Sequence, residues 1–404
     1  MLQGKEEGLG EGKTVLATSW LSFPQVMGVP RGTPLGGIFK AGKIKVGVLG
    51  ATGMVGQRYI KLLEDHPWFE VTYVAASPRS AGQLYKDAVA NRWLIGAEIP
   101  AGVQNLMVED ANLAEKAIGK CQFVFSALEL PKKEDIKNLE AAYAAEGIPV
   151  VSNASANRWT EDVPMLVPEI NYSHLDVIAD QKKHHGWDKG FIAVKPNCSL
   201  QTYMMPIHAL IQAGYEIKRM VVTTLQATSG AGYPGVPSFD MIDNIVPFIG
   251  GEEEKTEKEC LKILGTVKDG KIENAAGPIV SSTCTRVPVI DGHTACVSLE
   301  FGDKKPSMEE IEKIWTSYTS VPQELKLPSA PEHPIVVRHE ENRPHPRRDR
   351  ETDKGMACVL GRLRPCNVFD IKFVALSHNT KRGAALGGIL NAELLKAKGF
   401  FDNL

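Results

Sequence analysis

The sequence predicts an α/β fold in which a domain with a parallel sheet precedes an α+β domain with a mixed, largely antiparallel sheet. Two observations predict it. Short apolar strands alternate with helices from Lys43 to about residue 195, as in βαβ units. Beyond Cys198 the strands become longer, and apolar and polar residues alternate along them. The 404 residues are enough for two domains.

The first domain opens on a βαβ unit. Its first helix has one apolar face, formed by Val55, Tyr59, Leu62 and Leu63. Pro131 opens the next long helix, at a position where its missing N–H costs nothing. Buried strands are predicted at residues 44–49, 71–76, 123–128, 148–152 and 191–194.

The second domain is predicted from longer strands at residues 221–226, 279–289, 294–301, 356–363 and 371–377. Helices are predicted at residues 252–264 and 307–320, and Ser307 with Glu310 makes a capping-box signature for the second of them. A last, amphipathic helix at residues 381–398 is expected to return to the first domain.

These elements predict three segments. Residues 43–197, joined by a C-terminal helix within 379–402, form the cofactor domain, and residues 198–378 form the catalytic and dimerisation domain. Residues 1–42 have little apolar pattern and contain Glu6, Glu7 and Glu11, which fit neither a secretory signal nor a transit peptide. We interpret them as a disordered or artificial extension outside the fold.

Composition excludes several classes of function. A formal net charge of −2 argues against nucleic-acid and membrane-surface binding, because both need a basic field. No apolar stretch approaches the roughly 20 residues of a membrane span. The seven cysteines are widely spread, without a CxxC pair, which predicts free thiols, no metal site and a cytoplasmic location.

A glycine-rich loop, GATGMVG at residues 50–56, joins the first strand to its helix. Glycine lets the backbone approach a pyrophosphate, and the N–H groups of the helix N-terminus donate to it. We therefore predict cofactor contacts at Gly50, Thr52, Gly53, Met54 and Val55. This arrangement makes the first domain a Rossmann-type dinucleotide-binding domain.

The end of the second strand predicts which dinucleotide binds. An NAD enzyme usually places a carboxylate there for the ribose hydroxyl. This chain has Ser77, Arg79 and Ser80 instead, and a guanidinium beside two hydroxyls suits a 2′-phosphate. The prediction is NADP(H).

Cys198, in KPNCS, follows the predicted strand 191–194. The strand end would hold the thiol in a cleft, and a helix beginning there would favour the thiolate. Pro206 lies about two turns into that helix, so the helix should kink or start late. Arg286 and His293 lie seven residues apart, across the turn that joins two predicted strands, and they are suited to clamp a carboxylate and to transfer a proton.

Seven motifs occur in one order between about residues 43 and 402: GATGMVGQ, SPRSAGQ, PNCS, LQATSGAG, EEEK, STCTRVPVIDGHT and NTKRGAA. Together they resemble the aspartate-semialdehyde dehydrogenase family, in its archaeal and fungal-like branch. The resemblance implies reductive dephosphorylation of aspartyl 4-phosphate through a cysteine thioester, in the biosynthesis of lysine, methionine and threonine. It also implies a small-molecule substrate, phosphate, and a homodimer or homotetramer.

The resemblance assigns a role to each site residue. Cys198 is the nucleophile, His293 the acid/base, Gln226 orients the substrate, Arg286 clamps its carboxylate, Glu252 contacts its amine and Lys255 its phosphate. Ser229 and Gly230 belong to a loop that closes on the nicotinamide, and Asn379 contacts the cofactor. Backbone N–H groups near Cys198 and Ser199 are candidates for stabilising an oxyanion. Lys195 departs from the branch, which more often has an uncharged residue there.

Two alternatives stay open. Related reductases use the same cysteine on another acyl donor, namely N-acetylglutamyl-phosphate reductase and malonyl-CoA reductase, and Arg286 suits the free carboxylate of all three substrates. Lys255 and the EEEK element favour an acyl phosphate over a coenzyme A thioester. A non-catalytic NADP(H)-sensing protein would be free to lose Cys198, Gln226, Arg286 and His293, yet all four are present.

Overall fold

The structure is a computed structural model that describes residues 42–404, so the extension expected at residues 1–42 lies outside the described residues except for its last glycine. The strands of the first half are β1 Ile44–Leu49, β2 Phe69–Ala76, β3 Val108–Asp110, β4 Phe123–Ser126, β5 Val150–Ser152 and β6 Ile192–Val194. Its helices are α1 Met54–Leu62, α2 Tyr85–Ala88, α3 Ala101–Gln104, α4 Lys133–Ala145, α5 Pro168–Asn171 and α6 Ile178–His185.

The first sheet has the order β3-β2-β1-β4-β5-β6, and every neighbouring pair is parallel. This confirms the Rossmann-type expectation, although the short strand β3 was not anticipated. Parallel strands end at one edge of a sheet, so the loops after β1, β2 and β6 lie along the same edge. The glycine loop, the Ser77–Ser80 turn and Cys198 therefore face one crevice.

The strands of the second half are β7 Ile217–Gln226, β8 Thr266–Lys268, β9 Lys271–Glu273, β10 Ile279–Arg286, β11 His293–Phe301, β12 Ile335–Val337, β13 Cys358–Pro365 and β14 Ile371–Ser377. Its helices are α7 Met204–Gln212, α8 Ser238–Met241, α9 Glu252–Ile263, α10 Met308–Thr316, α11 Val321–Glu324, α12 Pro346–Asp349 and α13 Ala385–Ala397. The hydroxyl of Ser307 accepts from the Glu310 backbone N–H at 3.2 Å and caps α10.

The second sheet has the order β10-β7-β11-β14-β13-β12. The three central pairs are antiparallel and the two outer pairs are parallel, which confirms a mixed, largely antiparallel sheet. Because β7 and β10 run parallel, their last residues, Gln226 and Arg286, are paired in register. β11 begins with His293 at the same end, since it runs antiparallel to β7.

The helix after Cys198 starts late, as Pro206 predicted. A short 3₁₀ helix at Leu200–Thr202 precedes α7, which begins at Met204. Pro206 is then the third residue of α7, in the first turn, where no intrahelical bond needs its N–H. Cys198 consequently lies in a turn before the helical segment, and the expectation that it begins a helix was wrong.

The last helix, α13, also differs from its prediction. It starts at Ala385 and is buried on nearly every side, with only Gly387, Lys396 and Ala397 less than fully covered, so the amphipathic interpretation was wrong. Gly388 packs on α1 so closely that a Cβ there would lie 1.9 Å from the Tyr59 hydroxyl oxygen. Within residues 42–404, no helix is long and apolar enough to cross a membrane.

Candidate active site

The Cys198 sulfur lies beside an imidazole. Sγ is 3.2 Å from Nε2 of His293, a residue 95 positions further along the chain. The His293 side chain is fully buried, whereas Cys198 is partly accessible. A thiol next to an imidazole at the edge of a cleft has the arrangement of an activated nucleophile.

Three strand ends bring the other predicted substrate residues to this imidazole. The backbone N–H of Ala227 donates to Nδ1 of His293 at 3.0 Å, and the Ala227 carbonyl accepts from Nη1 of Arg286 at 2.9 Å. Gln226 immediately precedes Ala227, at the end of β7. Arg286 is buried, which lowers the pKa of its guanidinium.

Asn197 holds the turn that carries the sulfur, although no role was predicted for it. Its Nδ2 donates to both carboxylate oxygens of Glu252 at 2.9 Å, and its backbone N–H donates to Oε2 of Glu259 at 2.6 Å. Its Oδ1 accepts from the backbone N–H of Ser199 at 2.8 Å. The Ser199 N–H is therefore engaged inside the turn, and its predicted role as an oxyanion donor is not supported.

Glu252 begins α9 and connects several site residues. Besides Asn197, it accepts from Nε2 of Gln226 at 3.2 Å and from Nζ of Lys255 at 2.7 Å. Burial alone would raise its pKa, but Lys255 and these hydrogen bonds hold the pKa of Glu252 below its ordinary value. Glu252 and Lys255 thus form an ion pair at the site, where the sequence predicted separate contacts to the amine and the phosphate.

A buried ionic network lies beneath the turn. Nζ of Lys195 donates to the backbone carbonyls of Pro196, at 2.9 Å, and Gly383. Arg158 donates through Nε to the carbonyl of Lys195 at 3.0 Å and pairs through Nη1 with Glu259 at 2.9 Å. Burial lowers the pKa of Lys195 to about 7. Lys195, the residue that departs from the family branch, therefore holds the turn that carries Cys198 in place.

We expect Glu259→Gln to destabilise the fold strongly, because it leaves the Arg158 guanidinium buried without a counter-charge. Removing one partner of a buried pair costs about 3–5 kcal/mol of unfolding free energy, measured by urea denaturation. Glu254→Gln is the matched control, since Glu254 is on the same helix and its pair with Lys258 is exposed. That control should change stability by less than about 1 kcal/mol. Equal effects of the two variants would contradict the role given to Glu259.

The charges around Cys198 oppose one another. Burial raises the pKa of the Cys198 thiol, and the Glu252 carboxylate adds to the rise. Lys195, Arg158 and Arg286 lower the pKa of the thiol. Burial and Glu252 prevail, so the pKa of the Cys198 thiol lies above its ordinary value, and the three basic side chains offset only part of that rise.

The glycine loop fits a dinucleotide phosphate. Gly50 has φ +73°, and a Cβ there would lie 2.5 Å from the Ala127 carbonyl oxygen. A Cβ on Gly56 would lie 2.2 Å from the Gly50 carbonyl oxygen, so only glycine lets α1 approach the loop this closely. Gly53 caps α1 without a side-chain bond, and the first turn contains no acidic residue. The N-terminal N–H groups of α1 are thus suited to an anion.

The remaining cofactor residues lie in two separate loop regions. Ser77 and Arg79 are exposed and Ser80 is buried, in a turn closed by the Ser80 N–H on the Ser77 carbonyl at 2.9 Å. Asn379 donates through Nδ2 to the Ser229 hydroxyl at 2.8 Å and accepts from the Gly292 N–H at 2.8 Å. Asn379 therefore braces the loop that contains Ser229.

Gly230 closes this loop over the catalytic side chains. A Cβ on Gly230 would lie 2.7 Å from Nη1 of Arg286 and 3.1 Å from Cε1 of His293. A larger residue beside the imidazole would therefore require the end of the Arg286 side chain to shift.

One cleft contains the predicted nucleophile and some of the predicted cofactor residues. Met54, Val55, Cys198, Ser229, Gly230 and Asn379 all line it. Its wall also contains Arg58, Asn153, Arg158, Lys195 and Thr380, which sequence reasoning did not assign to the site. Of these five residues, only Lys195 stood out in the sequence, because the family branch more often has an uncharged residue there. Among residues 42–404, no cluster of three or more His, Cys, Asp or Glu side chains is arranged for a metal ion.

Comparison with known proteins points to one family. The family model described as "Semialdehyde dehydrogenase, NAD binding domain" matches residues 45–178, and "Semialdehyde dehydrogenase, dimerisation domain" matches residues 207–382. The aspartate-semialdehyde dehydrogenase of Methanothermobacter thermautotrophicus is 47% identical over 354 residues, which cover 87% of this chain and 99% of the relative. That of Cryptococcus neoformans is 46% identical over 365 residues, covering 89% and 99%.

Solved structures agree with this result. The crystal structure of the Candida albicans aspartate-semialdehyde dehydrogenase with NADP has a TM-score of 0.80 and 40% identity, and the match covers 89% of this chain and 100% of that one. Aspartate semialdehyde dehydrogenase II from Vibrio cholerae, complexed with ASA, has a TM-score of 0.68 at 23% identity, over 89% and 100% of the two chains. At that identity the second likeness concerns the fold alone.

Proposed function

Because this chain belongs to the aspartate-semialdehyde dehydrogenase family, we propose that Cys198 is its covalent nucleophile and that the side chains around the sulfur bind and orient the substrate. The reaction is the NADP-dependent reductive dephosphorylation of aspartyl 4-phosphate to aspartate semialdehyde. The relatives named above all carry this activity in their names, so neither alternative acyl donor is favoured. The observation that carries the proposal is the 3.2 Å contact between Sγ of Cys198 and Nε2 of His293 at the cofactor cleft.

The proposed chemistry begins at the sulfur. The Cys198 thiolate attacks the acyl carbon, phosphate leaves, and a thioester forms. The bound NADPH supplies a hydride for reduction of that thioester. Cys198 then leaves the reduced carbon, and the aldehyde is released.

Arg286 is proposed to clamp the substrate carboxylate. Only its Nη1 has a partner within the described residues, Ala227, which leaves the outer edge of the guanidinium for a carboxylate. Gln226 orients the substrate beside the sulfur, while the Glu252–Lys255 pair offers a carboxylate for the amine and an ammonium for the phosphate. The contacts above and the family's chemistry support each of these proposed roles.

The cofactor proposal uses residues on both sides of the cleft. Gly50, Thr52, Gly53, Met54 and Val55 would hold the pyrophosphate against α1, as the cradle described above permits. Ser77, Arg79 and Ser80 would bind the 2′-phosphate. Ser229, Gly230 and Asn379 would contact the nicotinamide end, because they line the cleft together with Cys198.

The test of this function is reduction of NADP by the purified chain with aspartate semialdehyde and phosphate, followed by absorbance of the reduced nicotinamide. Activity should require phosphate, since phosphate cleaves the thioester in this direction. N-acetylglutamate semialdehyde and malonate semialdehyde are the comparison substrates. Faster turnover with either of them would overturn the substrate assignment.

We expect Arg79→Ala to weaken the binding of NADP and to change the binding of NAD little. Losing a charged hydrogen-bond partner of the 2′-phosphate costs about 1.5–3 kcal/mol, which corresponds to a rise in KM for NADP of roughly 10- to 150-fold. Kinetics with NAD are the internal control, because NAD has no 2′-phosphate for Arg79 to bind. Equal losses with the two cofactors would show that Arg79 does not bind this group.

The matched dimerisation domain indicates that the chain oligomerises, and we propose a homodimer. Residues 233–248 expose Tyr233, Phe239, Ile242, Ile245 and Phe248, and Phe239 is 93% exposed. An apolar surface of this kind marks a protein contact, and we propose that a second copy covers it.

Phe239→Asp should lower the mass measured by sedimentation to that of one chain. An unchanged mass would place the interface elsewhere.

The cysteines support a reducing compartment. All seven lie within the described residues and none forms a disulfide. We propose that the protein works in the cytoplasm.

A further inference from the structure

Lys195 is a buried lysine whose side chain joins two separate parts of the backbone. It directly follows β6 and is only 1% exposed. Its Nζ donates to the backbone carbonyl of Pro196 at 2.9 Å and to the backbone carbonyl of Gly383. A lysine nitrogen has several N–H donors and no acceptor, so it suits a place where two carbonyl oxygens converge. Burial of an ammonium is unfavourable, and the two hydrogen bonds offset part of that cost.

Gly383 brings the second carbonyl next to the nucleophile. It belongs to the segment at residues 379–384, which directly precedes α13. A Cβ on Gly383 would lie 2.8 Å from Cβ of Cys198, so the glycine backbone packs directly against the cysteine side chain. The Gly383 N–H donates to the carbonyl of His378 at 3.0 Å, which closes the segment into a turn. Lys195 therefore connects the turn that carries Cys198 to a segment that contacts the same cysteine.

The segment at residues 379–384 also contacts the loop proposed for the nicotinamide end of the cofactor. Gly383 and Ala384 line the cleft together with Cys198. At the other end of the segment, Asn379 donates to the Ser229 hydroxyl at 2.8 Å. A movement of this segment relative to Cys198 would therefore change the position of the sulfur relative to the proposed cofactor residues.

We propose that Lys195 is a positioning residue, which holds the Cys198 sulfur at a fixed place beside the cofactor by donating to the carbonyls of Pro196 and Gly383. The inference rests on the proposed function of Cys198 as nucleophile. The step that depends on this placement is hydride transfer between the carbon bound to Sγ and the nicotinamide. A misplacement of about 1 Å can cost such a step roughly 10²-fold in rate.

Lys195 exchanges no proton or electron in this reaction, as the balance in the direction of aldehyde oxidation shows. The Cys198 sulfur bonds to the aldehyde carbon, and the aldehyde oxygen receives the thiol proton. The C–H bond of this thiohemiacetal then breaks, its hydrogen and electron pair pass to NADP as hydride, the hydroxyl proton passes to His293, and a thioester forms. A phosphate oxygen bonds to the acyl carbon, the carbon–sulfur bond breaks, and Sγ keeps the electron pair and regains a proton.

Two substitutions separate the hydrogen bonds of Lys195 from its charge. The side chains of Gln and Met are both neutral and of equal length, but only Gln ends in N–H donors. We expect Lys195→Met to lower kcat by roughly 10- to 100-fold, with KM for aspartate semialdehyde and Kd for NADP within about threefold of the wild type. Lys195→Gln should retain a kcat at least about threefold above that of Lys195→Met. Equal losses in the two variants would overturn the proposal and leave only the charge.

A single-turnover measurement shows which step is affected. Without phosphate the reaction stops at the thioester, so the first-turnover rate of NADPH formation in a stopped-flow experiment reports the steps up to hydride transfer. This rate should fall by roughly 10- to 100-fold in Lys195→Met, because the sulfur is misplaced relative to the cofactor. An unchanged first-turnover rate together with a lower kcat would place the loss in thioester cleavage and would contradict the proposal.

Lys262 is the matched control for a merely structural effect. It is also buried, which lowers its pKa to about 8, and its Nζ donates to the backbone carbonyls of Arg158, Thr160 and Val163 at 2.8, 2.7 and 2.9 Å. It does not line the cleft that contains Lys195. Lys262→Met should lower the melting temperature at least as much as Lys195→Met, yet keep the first-turnover rate within about threefold of the wild type. Equal losses of rate in the two variants would show that Lys195 is merely structural.

Amide hydrogen exchange gives a readout that does not depend on turnover. Mass spectrometry follows the peptide that contains Gly383 in the full-length protein, with and without NADP. We expect its exchange to be at least about fivefold faster in Lys195→Met than in the wild type, and unchanged in Lys262→Met. Unchanged exchange in Lys195→Met would show that Lys195 does not hold this segment. Failure of the proposed function, seen as activity in Cys198→Ser, is thus distinguishable from failure of this inference.

Discussion

Cys198→Ser is expected to abolish turnover, with kcat lowered by roughly 10⁴-fold or more. The serine hydroxyl holds its proton far above neutral pH, so the cations that favour a thiolate cannot provide an alkoxide. NADP binding should persist, because the glycine loop and α1 do not depend on the sulfur. The measurements are the phosphate-dependent assay and calorimetric titration of NADP into the variant.

Cys366→Ser is the matched control for this experiment. Cys366 is another partly exposed thiol, and backbone N–H groups near it lower its pKa even though partial burial acts in the opposite direction. The control should retain full activity and should still be inactivated by iodoacetamide, with saturating substrate protecting it. Retained activity in Cys198→Ser would remove the covalent mechanism, and loss of NADP binding would show that the substitution had disturbed the cleft.

Arg286→Leu should chiefly raise the KM for aspartate semialdehyde. Charged hydrogen bonds of the guanidinium to a carboxylate are worth about 1.5–3 kcal/mol, or roughly 10- to 150-fold in KM. The carboxylate is present in the ground state and in the transition state alike, so kcat should change less. Arg286→Lys should also be impaired, because a point charge does not reproduce the two parallel N–H donors of a guanidinium.

Two further measurements make the Arg286 result specific. Arg347→Leu removes an exposed arginine on α12 and should leave both constants unchanged. Arg286 also lowers the pKa of Cys198. The pH at which iodoacetamide alkylation of Cys198 is half-maximal, followed by mass spectrometry, should therefore rise in Arg286→Leu. A fall in kcat without a change in KM would contradict binding of the substrate carboxylate by Arg286. Its effect on the pKa of Cys198 would then be the only role left to it.

Much of the fold was visible in the sequence because its signals are local. Strand β1, the glycine loop and α1 follow one another within about 20 residues, and apolar period and glycine content mark each of them. Helix α9 was predicted within one residue of its end for the same reason. Helix α13 was mispredicted as amphipathic because its polar residues Asn391 and Glu393 suggest an exposed face, whereas the structure buries both of them.

The active site, like the fold, was predictable where its signals are local and unpredictable where they are not. By itself the sequence determined which residue types were available: a thiol after a strand, an arginine and a histidine seven residues apart, and a glycine loop without a carboxylate partner. Only the tertiary structure decided how they act. The Ala227 N–H reaches His293 across 66 positions, and Asn197 reaches Glu252 across 55. The position of the imidazole and the conformation of the turn that carries the nucleophile depend on these contacts. They arise from the pairing of distant strands and the packing of α9, so no local sequence pattern predicts them.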